Sequence, residues 1–203
     1  MAAHVTPEAK VIVFAKAPEP GKTKTRLIPM LGADGAARLH EKLIRHAVTT
    51  AGAARLGPVE LWSTPSSAHP VFADLAMAHA VTLREQPPGD LGSRMHAALD
   101  DALATHAYGL LTGSDCLEYS ASYLVTALDA LACGNDAVLG PAADGGYVLI
   151  GLARNHPALF KDIEWGSATV LAATRARLQE LGWRFRELPV LHDIDRPEDV
   201  PVV

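Results

Sequence analysis

Residues 15–27 read Ala-Lys-Ala-Pro-Glu-Pro-Gly-Lys-Thr-Lys-Thr-Arg-Leu, four cations against one anion in a chain whose formal net charge is −5. Positive charge gathered against the overall balance suits a phosphate ligand. Gly21 lets backbone N–H groups approach an anion, Lys16 and Lys24 offer point charges, and Arg26 offers a planar fork matched to phosphate oxygens. A loop whose cations face water is the competing reading. Gly21-Lys22-Thr23 has the ending of a Walker loop, but that loop needs a glycine five residues before its Gly-Lys pair. Lys16 stands there, so a Walker loop is excluded.

Carboxylates with neighbouring glycines or small residues recur further on. Gly113-Ser114-Asp115-Cys116 follows an apolar run. A carboxylate there either helps hold a divalent cation that neutralises a diphosphate leaving group or caps the next helix. In Gly140-Pro141-Ala142-Ala143-Asp144-Gly145-Gly146-Tyr147 the glycines admit a ligand close to the backbone, and Asp144 could bind a substrate hydroxyl or amine. A type I′ turn at Asp144-Gly145 is the alternative. In His192-Asp193-Ile194-Asp195 the two carboxylates stand at i and i+2, on one side of an extended segment, so both can face one ion. Asp195 also suits the N-cap of an acidic helix start at Arg196-Pro197-Glu198-Asp199. Gln86-Pro87-Pro88-Gly89-Asp90-Leu91-Gly92-Ser93-Arg94-Met95 leads into a helix whose N-terminus is an anion or base-edge site, unless Asp90 only caps it. Trp165, before Gly166-Ser167-Ala168-Thr169, either walls a pocket or packs. Cys116 reads as a core-packed thiol, and the ungrouped histidines read as solvated or satisfied.

These groups need a scaffold. The apolar, β-branched run over 11–15 suits a strand buried on both faces. Ala37, Leu39, Leu43, Ile44, Ala47 and Val48 at helical spacing predict a helix over 34–54, stopped by Gly57-Pro58. The same reasoning predicts strands over 59–62, 81–83, 108–112, 136–140, 147–152 and 184–188, and helices over 70–79, 91–106, 120–132 and 169–181. The link between 140 and 147 is too short for a parallel crossover, so a mixed, mostly parallel sheet is expected. Strands alternating with helices predict a three-layer α/β/α sandwich that meets its ligands at the carboxyl ends of strands. One domain is expected over 1–203, with 1–9 a flexible extension.

Hydrophobic residues are 49% and charged residues 20%, the balance of a globular core and not of a disordered chain. Two cysteines and scattered histidines support neither a disulfide framework nor a zinc module, and a reducing cytoplasm is the expected location. The first ten residues lack the apolar segment of a signal peptide, and no apolar run approaches the ~20 residues of a membrane span. Negative net charge, without alternating basic and aromatic residues, argues against a nucleic-acid partner.

Taken in order, five motifs resemble the small bacterial glycosyltransferase-like family of the GT-A, or nucleotide-diphospho-sugar transferase, superfamily. They are Phe14-Ala15-Lys16-Ala17-Pro18 with the basic loop, Asp90-Leu91-Gly92-Ser93-Arg94-Met95, Gly113-Ser114-Asp115-Cys116, Gly140-Pro141 with Asp144-Gly145-Gly146-Tyr147, and Asp193-Ile194-Asp195 with Pro197-Glu198-Asp199. The resemblance implies a Rossmann-like GT-A fold that binds a nucleoside di- or triphosphate with Mg²⁺ or Mn²⁺. It implies that Ala15, Lys16, Gly21, Lys24, Arg26, Asp90 and Gly92 bind the nucleotide, and that Asp115, Asp193 and Asp195 hold the metal. Asp115 and Asp144 would be catalytic, with Gly145, Gly146, Tyr147 and Trp165 facing the sugar or a small-molecule acceptor. Leu117 replaces the Pro that usually follows Gly-Ser-Asp-Cys, and Arg196 replaces the Thr that usually follows Asp-x-Asp. The implied activity is metal-dependent transfer from a nucleotide-activated donor, most simply from a nucleoside-diphosphate sugar. Nucleotidyl transfer with release of pyrophosphate, and nucleotide binding without turnover, are the alternatives.

Overall fold

In the computed structural model, which describes residues 8–200, seven strands form one sheet and five α-helices cover it. The strands are β1 (Ala9–Lys16), β2 (Val59–Thr64), β3 (Thr82–Glu85), β4 (Tyr108–Thr112), β5 (Ala137–Pro141), β6 (Tyr147–Leu152) and β7 (Phe185–Glu187). The helices are α1 (Ile28–Ala54), α2 (Pro70–His79), α3 (Leu91–Leu103), α4 (Ala121–Ala132) and α5 (Val170–Glu180).

Alternation along β1 explains the layers. Val11, Val13 and Ala15 join one buried cluster with Ile44 and Val48 of α1, Phe72 of α2 and Leu124 of α4. Ile12 and Phe14 point the other way, to Met95 and Leu99 of α3 and Leu171 and Leu178 of α5. Both faces are covered, as near-continuous apolar strands require. The sheet order is β3-β2-β1-β4-β6-β5-β7. Only β6 runs against the rest, pairing antiparallel with both β4 and β5. The chain is thus a Rossmann-like α/β/α sandwich with a mostly parallel mixed sheet.

Two expectations change beyond shifts of one to three residues at other element ends, such as α3 closing at Leu103. Ala9 is fully buried and its N–H donates to the Leu56 carbonyl at 2.9 Å, so the strand begins inside the expected extension, whose residues 1–7 lie outside the described ones. Helix α1 starts six residues before the expected 34, because Pro29 occupies its first turn and Gly32, at φ 70°, kinks the helix without ending it. Among the described residues, no helix is long and apolar enough to cross a membrane.

Candidate active site

The carboxyl ends of β1 and β4 point the same way, since those strands are parallel neighbours. Leaving β1, the basic loop makes a 3₁₀ turn at Thr25–Leu27 after Lys24, which takes the left-handed conformation at φ 47°. Leaving β4, Gly113-Ser114 delivers Asp115. The third contributor arrives from far along the chain. After β7 the backbone passes over the ends of β5 and β4: the Leu191 N–H donates to the Pro141 carbonyl at 3.0 Å, and the Ile194 N–H to the Asp115 carbonyl at 2.8 Å. Ile194 then packs with Leu27, Ala36 and Leu43 in a small apolar cluster. That cluster clamps the basic loop against the acidic segment.

The result is an interleaved set of charges. Lys24, its side chain only 4% exposed, places Nζ 2.9 Å from Asp115 Oδ1 and 3.8 Å from Asp195 Oδ1. Arg26, 63% exposed, pairs with Asp195. Asp115 Oδ1 is buried and receives no hydrogen bond of good geometry, although Lys24 is in ion-pair range. The Asp193 carboxylate has no hydrogen-bond or ion-pair partner among the described residues. Burial, then the charges of Asp115 and Asp144, push its pKa up to about 7 against the opposing pull of Lys24.

Sequence reasoning missed His40. It sits on the buried stripe of α1, with Nε2 3.0 Å from the Lys16 carbonyl and Nδ1 3.6 Å from Asp115 Oδ1. Burial holds the imidazole below its ordinary pKa, although Asp115 pulls it upward. A neutral ring donating from Nε2 props the base of the basic loop. The signal was available: His40 falls between Ala36 and Leu43, at the spacing of the core-facing residues.

Three depressions open side by side along the strand ends, and all are lined by Arg26 and Asp195. The first, about 310 Å³, is basic and includes Lys16, Lys24, His40 and Asp115. The second, about 360 Å³, is polar and includes Asp144, Ser167, His192, Asp193 and Arg196. The third, about 370 Å³, joins Asp115, Asp144, Asp193 and Gly146 to an apolar wall that contains Tyr147 and Trp165.

Several expected residues sit elsewhere or do other work. Lys16 lines the basic depression, but its Nζ donates to the Lys22 carbonyl at 2.6 Å. Gly21, at φ 78°, shapes the loop without lining it, and Ala15 is a core residue whose carbonyl accepts from Gln86. Asp90 caps α3, accepting from the Ser93 N–H at 2.7 Å, and lines none of the three depressions. Gly92 is a packing residue: a Cβ there would meet the Phe160 carbonyl oxygen and the Trp165 ring at 2.8 Å. Gly145 likewise packs against the Ala168 backbone, and its φ of 91° needs a glycine. Asp144 has no positive φ, so the type I′ turn is not formed; its Oδ1 accepts from the Gly146 N–H at 2.9 Å instead. Asp195 is not a helix cap, since the cap of the 3₁₀ turn Pro197–Asp199 is Arg196. Ser120, not Asp115, caps α4. Cys116 is buried as expected, its thiol pushed up to about 11 by burial. Among the described residues, no three His, Cys, Asp or Glu side chains stand in ready metal-binding geometry.

Comparison with known proteins adds a family and a set of folds. A family model described as "Uncharacterized protein conserved in bacteria (DUF2064)" matches residues 45–167. A search of curated proteins gives no match. Among solved structures, a candidate nucleotide-diphospho-sugar transferase from Desulfovibrio desulfuricans G20 is 31% identical with a TM-score of 0.84, over 94% of this chain and 83% of that one. Two more distant structures share the fold. One is glucosyl-3-phosphoglycerate synthase from Mycobacterium tuberculosis, in complex with Mn²⁺, UDP and glucosyl-3-phosphoglycerate, at 12% identity and TM-score 0.60 over 98% and 76% of the two chains. The other is 4-diphosphocytidyl-2C-methyl-D-erythritol synthase from Anaerococcus prevotii DSM 20548, at 10% identity and TM-score 0.61 over 95% and 94%.

Proposed function

The chain belongs to the DUF2064 family, and from that premise we propose that it is a metal-dependent transferase acting on a nucleoside-diphosphate sugar. One observation carries the reading: Asp115 and Asp195, from two distant parts of the chain, meet on Lys24 and Arg26 at the strand ends, and Asp193 joins them in lining one depression. The likeness to a candidate nucleotide-diphospho-sugar transferase at 31% identity supports it, as does the GT-A-like fold shared with a synthase crystallised with Mn²⁺ and UDP.

The donor set fits a hard divalent cation. Asp115 Oδ1 is buried without a hydrogen bond, Asp193 lacks a donor, and carboxylate oxygens suit Mg²⁺ or Mn²⁺. Asp115, Asp193 and Asp195 would hold the ion, which would neutralise charge gathering on the diphosphate. Lys24, Arg26 and Lys16 bind the phosphates in the basic depression, and the polar depression holds the sugar. An acceptor hydroxyl oxygen bonds to the anomeric carbon as the bond from that carbon to the diphosphate breaks, its electron pair leaving on the diphosphate oxygen. Asp144, at the border of the polar and apolar depressions, takes the hydroxyl proton. Catalysis is positioning and charge neutralisation without a covalent intermediate.

The test is thermal denaturation against UDP, GDP, CDP, ADP and dTDP, with and without Mn²⁺. A true ligand at about 100 times its Kd raises stability by roughly 2.7 kcal/mol. The stabilisation is expected to require metal and to vanish in Asp115→Asn; an unchanged response in that variant defeats the metal role. In turnover assays nucleoside diphosphate is the expected product, and pyrophosphate would assign nucleotidyl transfer instead.

A further inference from the structure

The apolar depression is built differently from its two neighbours. Phe14 of β1, Met95 of α3, Leu111 of β4, Tyr147 of β6 and Trp165 form its wall, with Leu91 at the mouth. The polar atoms near that wall are already committed or turned aside. The Tyr147 hydroxyl is directed to the Met95 sulfur at 3.9 Å, and the Ser167 hydroxyl donates to the Glu164 carbonyl at 2.8 Å. The Trp165 Nε1 lies against the Gly92 backbone, buried and without a partner, so it does not face the cavity. Charge enters the lining through Arg26 and four carboxylates, those of Asp115, Asp144, Asp193 and Asp195.

A polyhydroxylated occupant would have to leave hydroxyls unpaired against this wall, which costs about 1–3 kcal/mol for each. A nucleobase, ringed by donors and acceptors, meets the same objection. An apolar ring meets none and gains aromatic contacts from Phe14, Tyr147 and Trp165. We propose that this pocket seats the apolar ring of the acceptor, an amphipathic small molecule of the phenol or cyclic-alcohol class, with its hydroxyl at the carboxylate rim beside Asp144. About 370 Å³ admits a substituted ring with space to spare and lies at the small end of ligand pockets. The proposal rests on the transferase reading for the role of the occupant, and on the pocket wall alone for its chemistry.

The experiment is saturation-transfer difference NMR on the purified protein with 4-methylphenol, xylose and glycerol at equal concentration, repeated with UDP or GDP and Mn²⁺. Ring protons of 4-methylphenol are expected to receive saturation while xylose and glycerol do not, and the signal is expected to persist with nucleotide present. Leu91→Asp should weaken 4-methylphenol binding about fivefold through lost apolar contact. Because Leu91 is 41% exposed and opens α3, where an acid is favourable, that variant keeps its fold. Trp165→Ala is the stronger perturbation, with Leu91→Asp as the safeguard should α3 loosen. Signal from xylose or glycerol, silence from all three probes, loss of signal on adding nucleotide, or an unaffected Leu91→Asp overturns the proposal. Failure of nucleotides to bind while 4-methylphenol still does would instead overturn the transferase reading and leave the pocket assignment standing.

Discussion

Asp193→Asn should make the protein more stable when metal is withheld. In the fold, a carboxyl whose ordinary pKa is 3.8 titrates at about 7. The folded protein therefore keeps a proton that the unfolded chain has already released. Between about pH 4 and 7 the folded state binds more protons, so stability falls as pH rises, by ~1.4 kcal/mol per pH step, and levels off above pH 7. The full cost is ~4 kcal/mol at pH 8. Asp193 is only half-buried and its surroundings relax, so about half of that, ~2 kcal/mol, is the working figure, shrinking to roughly 0.8 kcal/mol at pH 5. The amide of Asn keeps the shape and removes the charge. Urea unfolding followed by circular dichroism, in EDTA at pH 5 and pH 8, reads the difference between variant and wild type. His40 titration is common to both proteins and cancels from that difference. A variant advantage that is equal at the two pH values, or a variant less stable than wild type at pH 8, refutes the raising of the Asp193 pKa by burial and by the charges of Asp115 and Asp144. Mn²⁺ should reverse the ranking by stabilising only the wild type.

Other substitutions probe single features. Arg26→Ala removes an exposed guanidinium, so calorimetry should show diphosphate affinity falling about tenfold, the loss of one charge-assisted contact, with Tm nearly unchanged. Gly145→Ala places a methyl against the Ala168 backbone at a left-handed φ, and chemical denaturation should register a loss of about 2–4 kcal/mol. Lys10→Met breaks a buried group in which Lys10 Nζ lies 3.1 Å from Glu60 and 2.9 Å from Asp101. A loss of about 3 kcal/mol is expected, without change in ligand affinity, because the group lies away from the three depressions.

The elements easiest to read were those whose apolar runs end abruptly. Tyr108–Thr112, Tyr147–Leu152 and Pro70–His79 have the expected limits, because Gly, Pro or a polar cluster borders each. The start of α1 was hidden, since Pro29 and Gly32 look like breakers yet act as a first-turn residue and a kink. Strand order is a long-range property with no local mark, although the short link after β5 excluded a parallel crossover and left an antiparallel pair, the one observed, as one of two options. At the site, charge beside glycines and small residues drew attention to Lys24, Arg26, Asp115 and Asp193, which the fold brings to the same end of the sheet. Asp90 caps α3 and Gly92 and Gly145 pack tightly, roles that the local sequence does not distinguish from those of a ligand loop. The apolar wall stayed invisible: Phe14, Met95 and Leu111 read as ordinary core, and they are buried core residues that also line the depression.

The segment that carries Asp193 and Asp195 crosses the sheet ends on few backbone bonds, chiefly those of Leu191 and Ile194. Arg26 and Asp195 lie 169 residues apart, so their meeting closes nearly the whole chain at the cost of loop entropy. Such a clasp opens by local unfolding at less cost than the sheet beneath it. The amides of Leu191 and Ile194 should therefore exchange with solvent faster than those of β1 and β4. A ligand that spans Lys24 and Asp193 would act as a staple, slowing exchange at those two amides before it alters any other.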